Sequence, residues 1–318
     1  MINFRFHIIS LVAVFLALAL GIFLGSAVGE PTIVNTLRNQ IDSASKRSNA
    51  LKSENGQLRS DNGRLQSFVN RTAAFAVQDR LATLDVAIVA ERGVNRGAVN
   101  ATRDLFRVAR ANVPIVIWLE QRIELANPDD VNAMATLLNS TATDAETLRR
   151  LVFTALARRL AAPLSTVSTN VPDVLRELVD AKFVSVDGLP KGELATFPIG
   201  RASAVVVDSA QGNIDDPTAF SQCVSAFTTH GVTTVAAEVG TSSTDPSAPA
   251  RGDIISVIRS DSNLEGRVST VDDLDLTEGR IATVLALQAA NDSTKSTVGD
   301  YGYGRGAAAG PVPDPITK

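Results

Sequence analysis

The chain has 318 residues, of which 45% are hydrophobic and 20% are charged, so it is long enough for one sizeable globular core with appended segments. Its single cysteine, Cys223, excludes an intrachain disulfide and is interpreted as a buried thiol. The net charge of −4 is unevenly divided: residues 33–80 carry eight Lys and Arg against four Asp and Glu, whereas residues 81–290 carry 18 against 26. An acidic head argues against nucleic-acid binding, which needs clustered cations.

An apolar run near the amino terminus predicts a membrane-spanning helix. Residues from Ile8 to Leu24 would span about 25 Å as a helix, and the weakly polar residues to Val28 extend this to roughly 30 Å, enough to cross a bilayer. Arg5 precedes the run and Glu30 is the first charge after it. The positive-inside rule therefore predicts a single-pass protein of the cytoplasmic membrane, with the amino terminus inside and the rest of the chain extracytoplasmic. A cleavable signal peptide, cut after small residues near position 28, is the alternative.

Apolar residues at heptad spacing predict a coiled coil immediately after the anchor. The d positions begin at Leu37, and the a positions run from Val34 to Ala76. Asparagine at position a favours two strands in parallel register, which agrees with two chains rooted in one membrane. The residues predicted to form the seam are Leu37, Ile41, Leu51, Asn55, Leu58, Asn62, Leu65 and Val69.

The predicted seam is a weak one. Ser48 occupies another a position, and Gly56 and Gly63 each cost about 1 kcal/mol relative to alanine in a helix. We therefore expect either a parallel homodimer or a heteromer with a helical partner that fills the polar a positions better. A single helix that lies on the head is the alternative.

From Leu84 onward, short β-branched runs alternate with helical stretches, which predicts a three-layer α/β head with a mostly parallel sheet. The predicted strands are Val86–Ala90, Pro114–Leu119, Phe183–Val186, Ala204–Val207, Thr233–Ala237 and Ile254–Ile258. The predicted helices are Ala98–Ala111, Asp129–Leu138, Asp144–Leu160, Val171–Ala181, Pro217–His230 and Thr277–Ala290.

The composition changes to Ser, Thr, Gly and Pro after Asn291, which predicts a disordered tail. The fold class is thus α/β, with an amino-terminal transmembrane helix and a long coiled-coil helix before the head. The predicted organisation is a transmembrane anchor at residues 1–30, a coiled-coil stalk at 31–80, an extracytoplasmic α/β domain at 81–290 and a disordered tail at 291–318.

Acidic residues stand at the ends of several predicted strands. In open α/β sheets, ligands bind at the carboxyl ends of the strands. A candidate crevice in the head is therefore lined by Glu91, Asp187, Asp208 and Glu238. Such carboxylates would suit a glycan or a divalent cation, but acids in these loops also serve as helix caps.

The sequence has no G-x-S-x-G elbow, P-loop or Gly-rich dinucleotide fingerprint after the first strand. The soft metal ligands in the exported part are Met134, Cys223 and His230, which are far apart in sequence. We accordingly predict a non-enzymatic protein, with no catalytic residue, no cofactor and no metal site. An enzyme that acts on the cell wall through the strand-end carboxylates is the alternative.

Several segments resemble the actinobacterial MctB family, whose name comes from mycobacterial copper transport. They are Phe6–Ser26, the heptads that follow, the first strand at Val86, Val271–Asp275 and Gly279–Leu287. The likeness covers nearly the whole chain. The family also includes SteB-type proteins, which are membrane-anchored partners of SteA in corynebacterial cell separation and are connected with peptidoglycan hydrolases.

The resemblance implies two functions. One is a role in cell separation and control of peptidoglycan hydrolysis, with a SteA-type membrane partner and a peptidoglycan hydrolase as partners. The other is copper transport or copper tolerance. The residues favour the first, because one predicted span forms no transport pathway and soft ligands are scarce.

Overall fold

The computed structural model describes residues 4–163, 173–188, 199–241, 249–292 and 296–313. The chain divides into two compact units, Met1–Ser67 and Phe68–Lys318. The first unit is helical where it is described, and the second, here called the α/β unit, contains the end of the same helix and a mixed sheet.

Helix α1 runs from Phe4 to Val77. Its segment Arg5–Ser26 has a mean hydropathy of 2.8 and is long and apolar enough to cross a membrane. The structure thus confirms an apolar amino-terminal helix and a long helix after it. Gly56 and Gly63 lie inside α1 with open space where a side chain would project. Their helix penalty of about 1 kcal/mol each is therefore not offset by close packing within this chain.

The described part of the α/β unit contains a seven-stranded sheet. Its strands are β1 (Val86–Glu91), β2 (Val116–Leu119), β3 (Val184–Asp187), β4 (Ser203–Asp208), β5 (Thr234–Glu238), β6 (Ser269–Val271) and β7 (Asp300–Tyr301). Their order across the sheet is β3-β2-β1-β4-β5-β6-β7. Strand β3 is antiparallel to β2, and every other neighbouring pair is parallel.

Helices cover both faces of this sheet. They are α2 (Arg96–Val108), α3 (Pro128–Leu137), α4 (Ala145–Ala161), α5 (Val174–Asp180), α6 (Pro217–Thr229), α7 (Ser256–Arg259) and α8 (Thr277–Ala290). On one face, the five helices from α3 through α7 pack against strand side chains such as Val89 and Val206 and form one hydrophobic core. A second core joins α2, α8 and the end of α1 with Ile88 and Val205. Because alternate residues of one strand enter opposite cores, the α/β unit has three layers, as predicted.

Local sequence explains where these elements begin. Strand β1 is buried along its whole length, which is typical of a central parallel strand with helices on both faces. Several helices start after a side chain that caps free backbone amides: Asn127 accepts from Asp130 N at 2.9 Å, and Asp144 accepts from Thr147 N at 2.8 Å.

The strands predicted at residues 86–90, 114–119, 183–186, 204–207 and 233–237 are confirmed with small shifts of their ends. The strand predicted at Ile254–Ile258 is wrong, because this segment forms turns and the short helix α7. Ile255 and Ile258 are both buried at a spacing of three residues, which is a helical spacing rather than the alternation of a strand. The strand that does pair with β5 is β6, at Ser269–Val271.

The prediction of disorder for residues 291–318 is also corrected, for the described residues 296–313. Strand β7 pairs in parallel with β6, and Tyr301 is buried. The guanidinium of Arg259 donates to the carbonyl oxygens of Tyr301 and Arg305, at 2.9 Å and 2.7 Å. A low-complexity composition failed to predict order because buried charged groups of the domain hold this segment.

Candidate functional site

The strand order reverses direction between β1 and β4, and the carboxyl ends of these two strands carry Glu91 and Asp208. The chain passes from β1 to β2 on one side and then returns to place β4 on the other side of β1. Open α/β sheets bind ligands at such a reversal, outside the carboxyl ends of the strands. The structure therefore brings two of the predicted site residues to the position where a ligand crevice is expected.

The carboxyl groups of Glu91 and Asp208 are hydrogen-bonded to each other. Glu91 is buried, and this burial raises the pKa of its carboxyl group well above the usual range. The hydrogen bond with Asp208 and the negative charge of Asp208 raise that pKa further. Burial also raises the pKa of Asp208. Two adjacent carboxylates in a region of low dielectric cannot both stay ionised, so the pair shares a proton at neutral pH.

The loop between β4 and α6, residues 209–216, covers this carboxyl pair. The Ile214 amide donates to Glu91 Oε1, and the amide of Asp215 donates to Glu124 Oε1. Gly212 lies so close to the Glu91 carboxyl group that a β-carbon at this position would overlap it. The loop is thus tied to the end of β1 and to the short 3-10 helix Gln121–Glu124.

The cavity that remains under this loop has a volume of about 20 Å³, which is room for about one water molecule. Cys223 lines it together with Glu91 and Asp208, and burial raises the pKa of its thiol. The prediction that Cys223 is a buried thiol is therefore confirmed. A cavity of this size does not hold a sugar or a nucleotide.

Glu238, at the end of β5, is paired in register with Asp208, but its carboxylate is hydrogen-bonded to a different loop. It accepts hydrogen bonds from the Gly252 amide at 3.0 Å and the Ile255 amide at 3.1 Å. Burial raises the pKa of Glu238 to about 7 against these hydrogen bonds. Glu238 therefore fixes the turn that leads into α7.

Asp187 lies away from the other three predicted crevice residues. Because β3 is antiparallel, its last residue pairs with Val116, the first residue of β2. The end of β3 therefore lies beside the amino-terminal end of β2. There the Asp187 carboxylate accepts from Trp118 Nε1 at 2.8 Å and from Arg96 at 3.0 Å. The predicted crevice grouped Asp187 with the ends of three parallel strands, whereas β3 is the antiparallel strand of the sheet.

Two strand-end acids that the crevice prediction omitted are the most deeply buried ones. Asp272 pairs with Arg259 at 3.0 Å and accepts from the amides of Tyr303 and Gly304. Asp273 is fully buried, and its two carboxylate oxygens have no hydrogen-bond partner among the described residues. Burial, then the charge of Asp272, raise the pKa of Asp273 to about 7. The sequence contained a signal for both, the acidic segment Val271–Asp275.

Three of the strand-end acids share one structural role. Glu91, Glu238 and Asp272 each accept hydrogen bonds from the backbone of a loop that crosses the edge of the sheet. These bonds differ from the helix caps weighed as the alternative from the sequence, because the side chains that cap the helices after β1 and β4 are Asn95 and Asp216. Among the described residues, no group of three or more His, Cys, Asp or Glu side chains is placed to hold a metal ion.

The three soft ligands predicted from the sequence lie in separate places in the structure. Met134 and Cys223 are fully buried in the core beneath α3 to α6. His230 follows α6, where its backbone amide donates to Ala226 O at 3.1 Å. The structure gives no cluster of these three side chains within the described residues.

Among the described residues outside the predicted span, most of the large hydrophobic side chains that are exposed lie on α1. Leu51, Leu58 and Leu65 are 64%, 62% and 64% exposed, and Leu37 and Ile41 are exposed as well. These side chains recur every seventh residue or at the intervening a position, so they lie along one stripe of the helix. Val69, the last predicted seam residue, instead packs against the core of the α/β unit.

The chain is similar to known proteins over nearly its whole length. The family model described as "Copper transport outer membrane protein, MctB" matches residues 1–312. A protein of Mycobacterium tuberculosis (strain H37Rv) named Copper transporter MctB is 26% identical over 324 residues, which cover 96% of this chain and 98% of the relative. Its namesake in Mycobacterium leprae is 29% identical over 332 residues, which cover 98% of this chain and 100% of the relative.

Proposed function

This chain belongs to the MctB family, and on that premise we propose that it is a single-pass, non-enzymatic protein of the cell envelope that acts by binding other proteins. In this proposal the amino terminus is cytoplasmic, the stalk pairs in parallel with a second copy or a related helix, and the α/β unit is extracytoplasmic. Its role is in cell separation, through a SteA-type membrane partner and control of peptidoglycan hydrolysis.

The observation that carries the proposal is the exposed leucine stripe of α1. A helix with large apolar side chains along one stripe and polar residues elsewhere has low stability alone in water, and burying that stripe against another helix stabilises it. Fully burying one leucine contributes roughly 1.5–3 kcal/mol. Leu37, Leu51, Leu58 and Leu65 therefore supply enough apolar surface to drive association, even with asparagine in the seam and glycine elsewhere in the helix.

The direction of pairing follows from the anchor. Arg5–Ser26 and the stripe belong to the same helix, so two copies held by one membrane enter the stalk in the same direction. Parallel register places Asn55 opposite Asn55 and Asn62 opposite Asn62, where the amides can hydrogen-bond to each other. The same arrangement places Glu54 of one chain near Arg59 of the other.

The closed edge of the sheet supports a binding role over an enzymatic one. The acids that an enzyme would use are the hydrogen-bond acceptors of loops, and the cavity beside Glu91 and Asp208 has room for about one water molecule. This leaves the outer surfaces of the α/β unit and the stalk as the surfaces for partners.

Cysteine crosslinking in membranes that contain the full-length chain tests the pairing. The only native cysteine, Cys223, is buried, so a cysteine introduced at Asn55 is the reactive one. We expect N55C to form a disulfide-linked dimer, and S53C, on the outer face of the helix, to remain monomeric. Adding Leu51→Lys and Leu58→Lys to N55C should abolish the crosslink. A crosslink that survives these lysines, or equal crosslinking of S53C, would contradict the seam.

A deletion strain tests the biological role. Cells without the protein should form unseparated chains on ordinary medium, and full-length protein with the native stripe should restore separation. Protein with Leu51→Lys and Leu58→Lys should not restore it. Normal division of the deletion strain on ordinary medium would rule out the role in cell separation.

Copper transport or copper tolerance is the second candidate, and the names of the relatives favour it. Soft ligands bind Cu(I), but Met134 and Cys223 are buried in the core and are not grouped with His230. Copper handling would therefore require the chain to act with another protein. A deletion strain that separates normally but fails to grow only in added copper would support this candidate over the first.

A further inference from the structure

A polar groove lies between helices α4 and α6 on the surface of the α/β unit, and it shares no residue with the cavity under the 209–216 loop. Its volume is about 300 Å³, at the lower end of small-molecule sites. We propose that this groove binds a polyhydroxylated anion, namely a sugar that carries a carboxylate or a phosphate group. The groove is independent of the stalk, so this inference does not rest on pairing between chains.

The polar side chains come from three separate elements and converge on the same space. Arg150 and Thr154 are four residues apart on α4, and Ser225 and Thr229 are four residues apart on α6. Residues at this spacing lie on one face of a helix, so two facing rows form the walls. His230 and Asp261 complete the lining, from the end of α6 and from the turn after α7.

These groups have unused hydrogen-bonding capacity. Within the described residues, the side chains of Arg150, Thr154, Ser225 and Thr229 make no hydrogen bond or ion pair. Arg149, the neighbour in sequence, shows the contrast: it is buried, pairs with Asp216 at 2.6 Å and donates to Glu124 O at 2.6 Å. One arginine of the pair is thus engaged by the protein, and the next is open to a ligand.

The floor of the groove is fixed by internal bonds. Gln222 Oε1 accepts from Arg149 Nε at 3.3 Å, which holds its amide and leaves the amide NH₂ group as a donor toward the groove. Ala226 beside it is buried against the core. A fixed floor lowers the ordering cost of binding.

The chemistry of the lining specifies the class of ligand. A guanidinium binds a carboxylate or phosphate through two parallel hydrogen bonds, which a neutral hydroxyl cannot replace. Serine and threonine hydroxyls both donate and accept, as sugar hydroxyls require. One carboxylate oxygen of Asp261 accepts from the amide of Asn263, so its second oxygen is left to accept from a ligand hydroxyl.

Saturation-transfer NMR on the full-length chain in detergent micelles tests the inference. The probes are glucuronate and glucose 1-phosphate, with glucose as the neutral control and inorganic phosphate as the control without hydroxyl groups on carbon. We expect the two sugar anions to bind and to compete with each other. Glucose and inorganic phosphate should bind at least about tenfold more weakly, because each lacks half of the complementary groups.

Matched variants assign the binding to the groove. R150Q should weaken glucuronate binding about tenfold or more, and R158Q, on an exposed arginine of the same helix that does not line the groove, should leave it unchanged. The double variant S225A/T229A should weaken glucuronate but leave the melting temperature unchanged. Equal losses in R150Q and R158Q, or no binding of either sugar anion, would overturn the proposal.

Oligomers of glucuronate distinguish the source of such a ligand. Tighter binding of the oligomer than of the monomer, lost in R150Q, would indicate a polymer of the envelope. Equal binding of the two would indicate a free sugar anion. Both results retain the groove as the site, whereas binding of the oligomer that persists in R150Q would contradict it.

Discussion

Glu91 and Asp208 share one proton at the point where the strand order of the sheet reverses. In many open α/β sheets this is the place for a ligand, but here the backbone amide of Ile214 and the close approach of Gly212 close it. The pair therefore joins the ends of two central strands to the loop that follows β4. Its consequences are measurable in the stability of the α/β unit.

The first prediction concerns this pair. The pKa of Glu91 is higher in the folded than in the unfolded chain, so the stability it contributes is present at low pH and is lost as the pH rises toward the folded pKa. Glu91→Gln keeps a donor for Asp208 and removes this titration. In urea titrations between pH 5 and pH 9, we expect the free energy of unfolding to fall less in Glu91→Gln than in the native chain. Glu265→Gln, at an exposed residue, should match the native pH dependence, and a variant curve parallel to the native one would contradict the shared proton.

A second prediction separates two acids of the segment 271–275. Asp273 has no hydrogen-bond partner in the part of the chain that the structure describes, and its pKa is raised to about 7. Its ionised form therefore destabilises the folded state increasingly from about pH 4 to pH 7. Asp273→Asn should therefore be neutral at pH 4 and should raise the free energy of unfolding at pH 8. Asp275 binds Arg251 through both carboxylate oxygens, at 2.7 Å and 2.9 Å. Asp275→Asn should therefore lower the free energy of unfolding at pH 8. Thermal unfolding at the two pH values measures both, and destabilisation by Asp273→Asn at pH 8 would show that the carboxylate has a partner.

A third prediction concerns the carboxyl-terminal segment. Asp272→Ala removes the partner of buried Arg259 and the acceptor for two backbone amides of residues 303 and 304. Loss of one member of a buried ion pair costs about 3–5 kcal/mol. We expect the segment after β7 to open and trypsin to cleave rapidly after Arg305, as read by mass spectrometry. Asp104→Asn, which affects only an exposed ion pair with Arg107, should leave the cleavage rate unchanged.

A fourth prediction compares glycines in two helices. Gly56→Ala and Gly63→Ala add a methyl group in open space on α1 and should each stabilise the helix by about 1 kcal/mol. The same change at Gly279, in the first turn of α8, places a β-carbon against the backbone and carboxylate of Asp273 and should destabilise the α/β unit. Circular dichroism during heating measures both effects. A gain in stability from Gly279→Ala would mean that the start of α8 can move away from Asp273.

A fifth prediction follows from the proposed pairing of the stalk. Replacing Asn55 and Asn62 with leucine should raise the stability of the associated stalk, because two polar a positions become apolar. It should also relax the preference for two strands, which would appear as trimers or tetramers in crosslinking of the full-length chain. Unchanged dimers in the double variant would indicate that the membrane anchor, and not the asparagines, sets the number of chains.

The carboxyl-terminal segment is ordered by residues that lie far from it in sequence. Its Ser, Thr, Gly and Pro composition is that of disordered segments, yet residues 300–301 complete the sheet. The groups that hold this segment are Arg259, 42 residues before its partner Tyr301, and Asp272, 31 residues before its partner Tyr303. Composition describes what a segment can bury by itself, and here the order comes from partners supplied by the rest of the domain.

The sequence by itself determined the apolar helix, the long helix after it, most strands of the sheet and the family, because periodicity and apolar runs are local properties of the chain. Only the tertiary structure decided what the strand-end acids do. Because β3 is antiparallel, Asp187 lies beside the first residue of β2 and not at the carboxyl ends of the parallel strands. The carboxylates of Glu91 and Glu238 accept hydrogen bonds from loop amides. A carboxylate has the same identity in a ligand crevice and in a loop cap, and the two roles differ only in which atoms the fold brings to it.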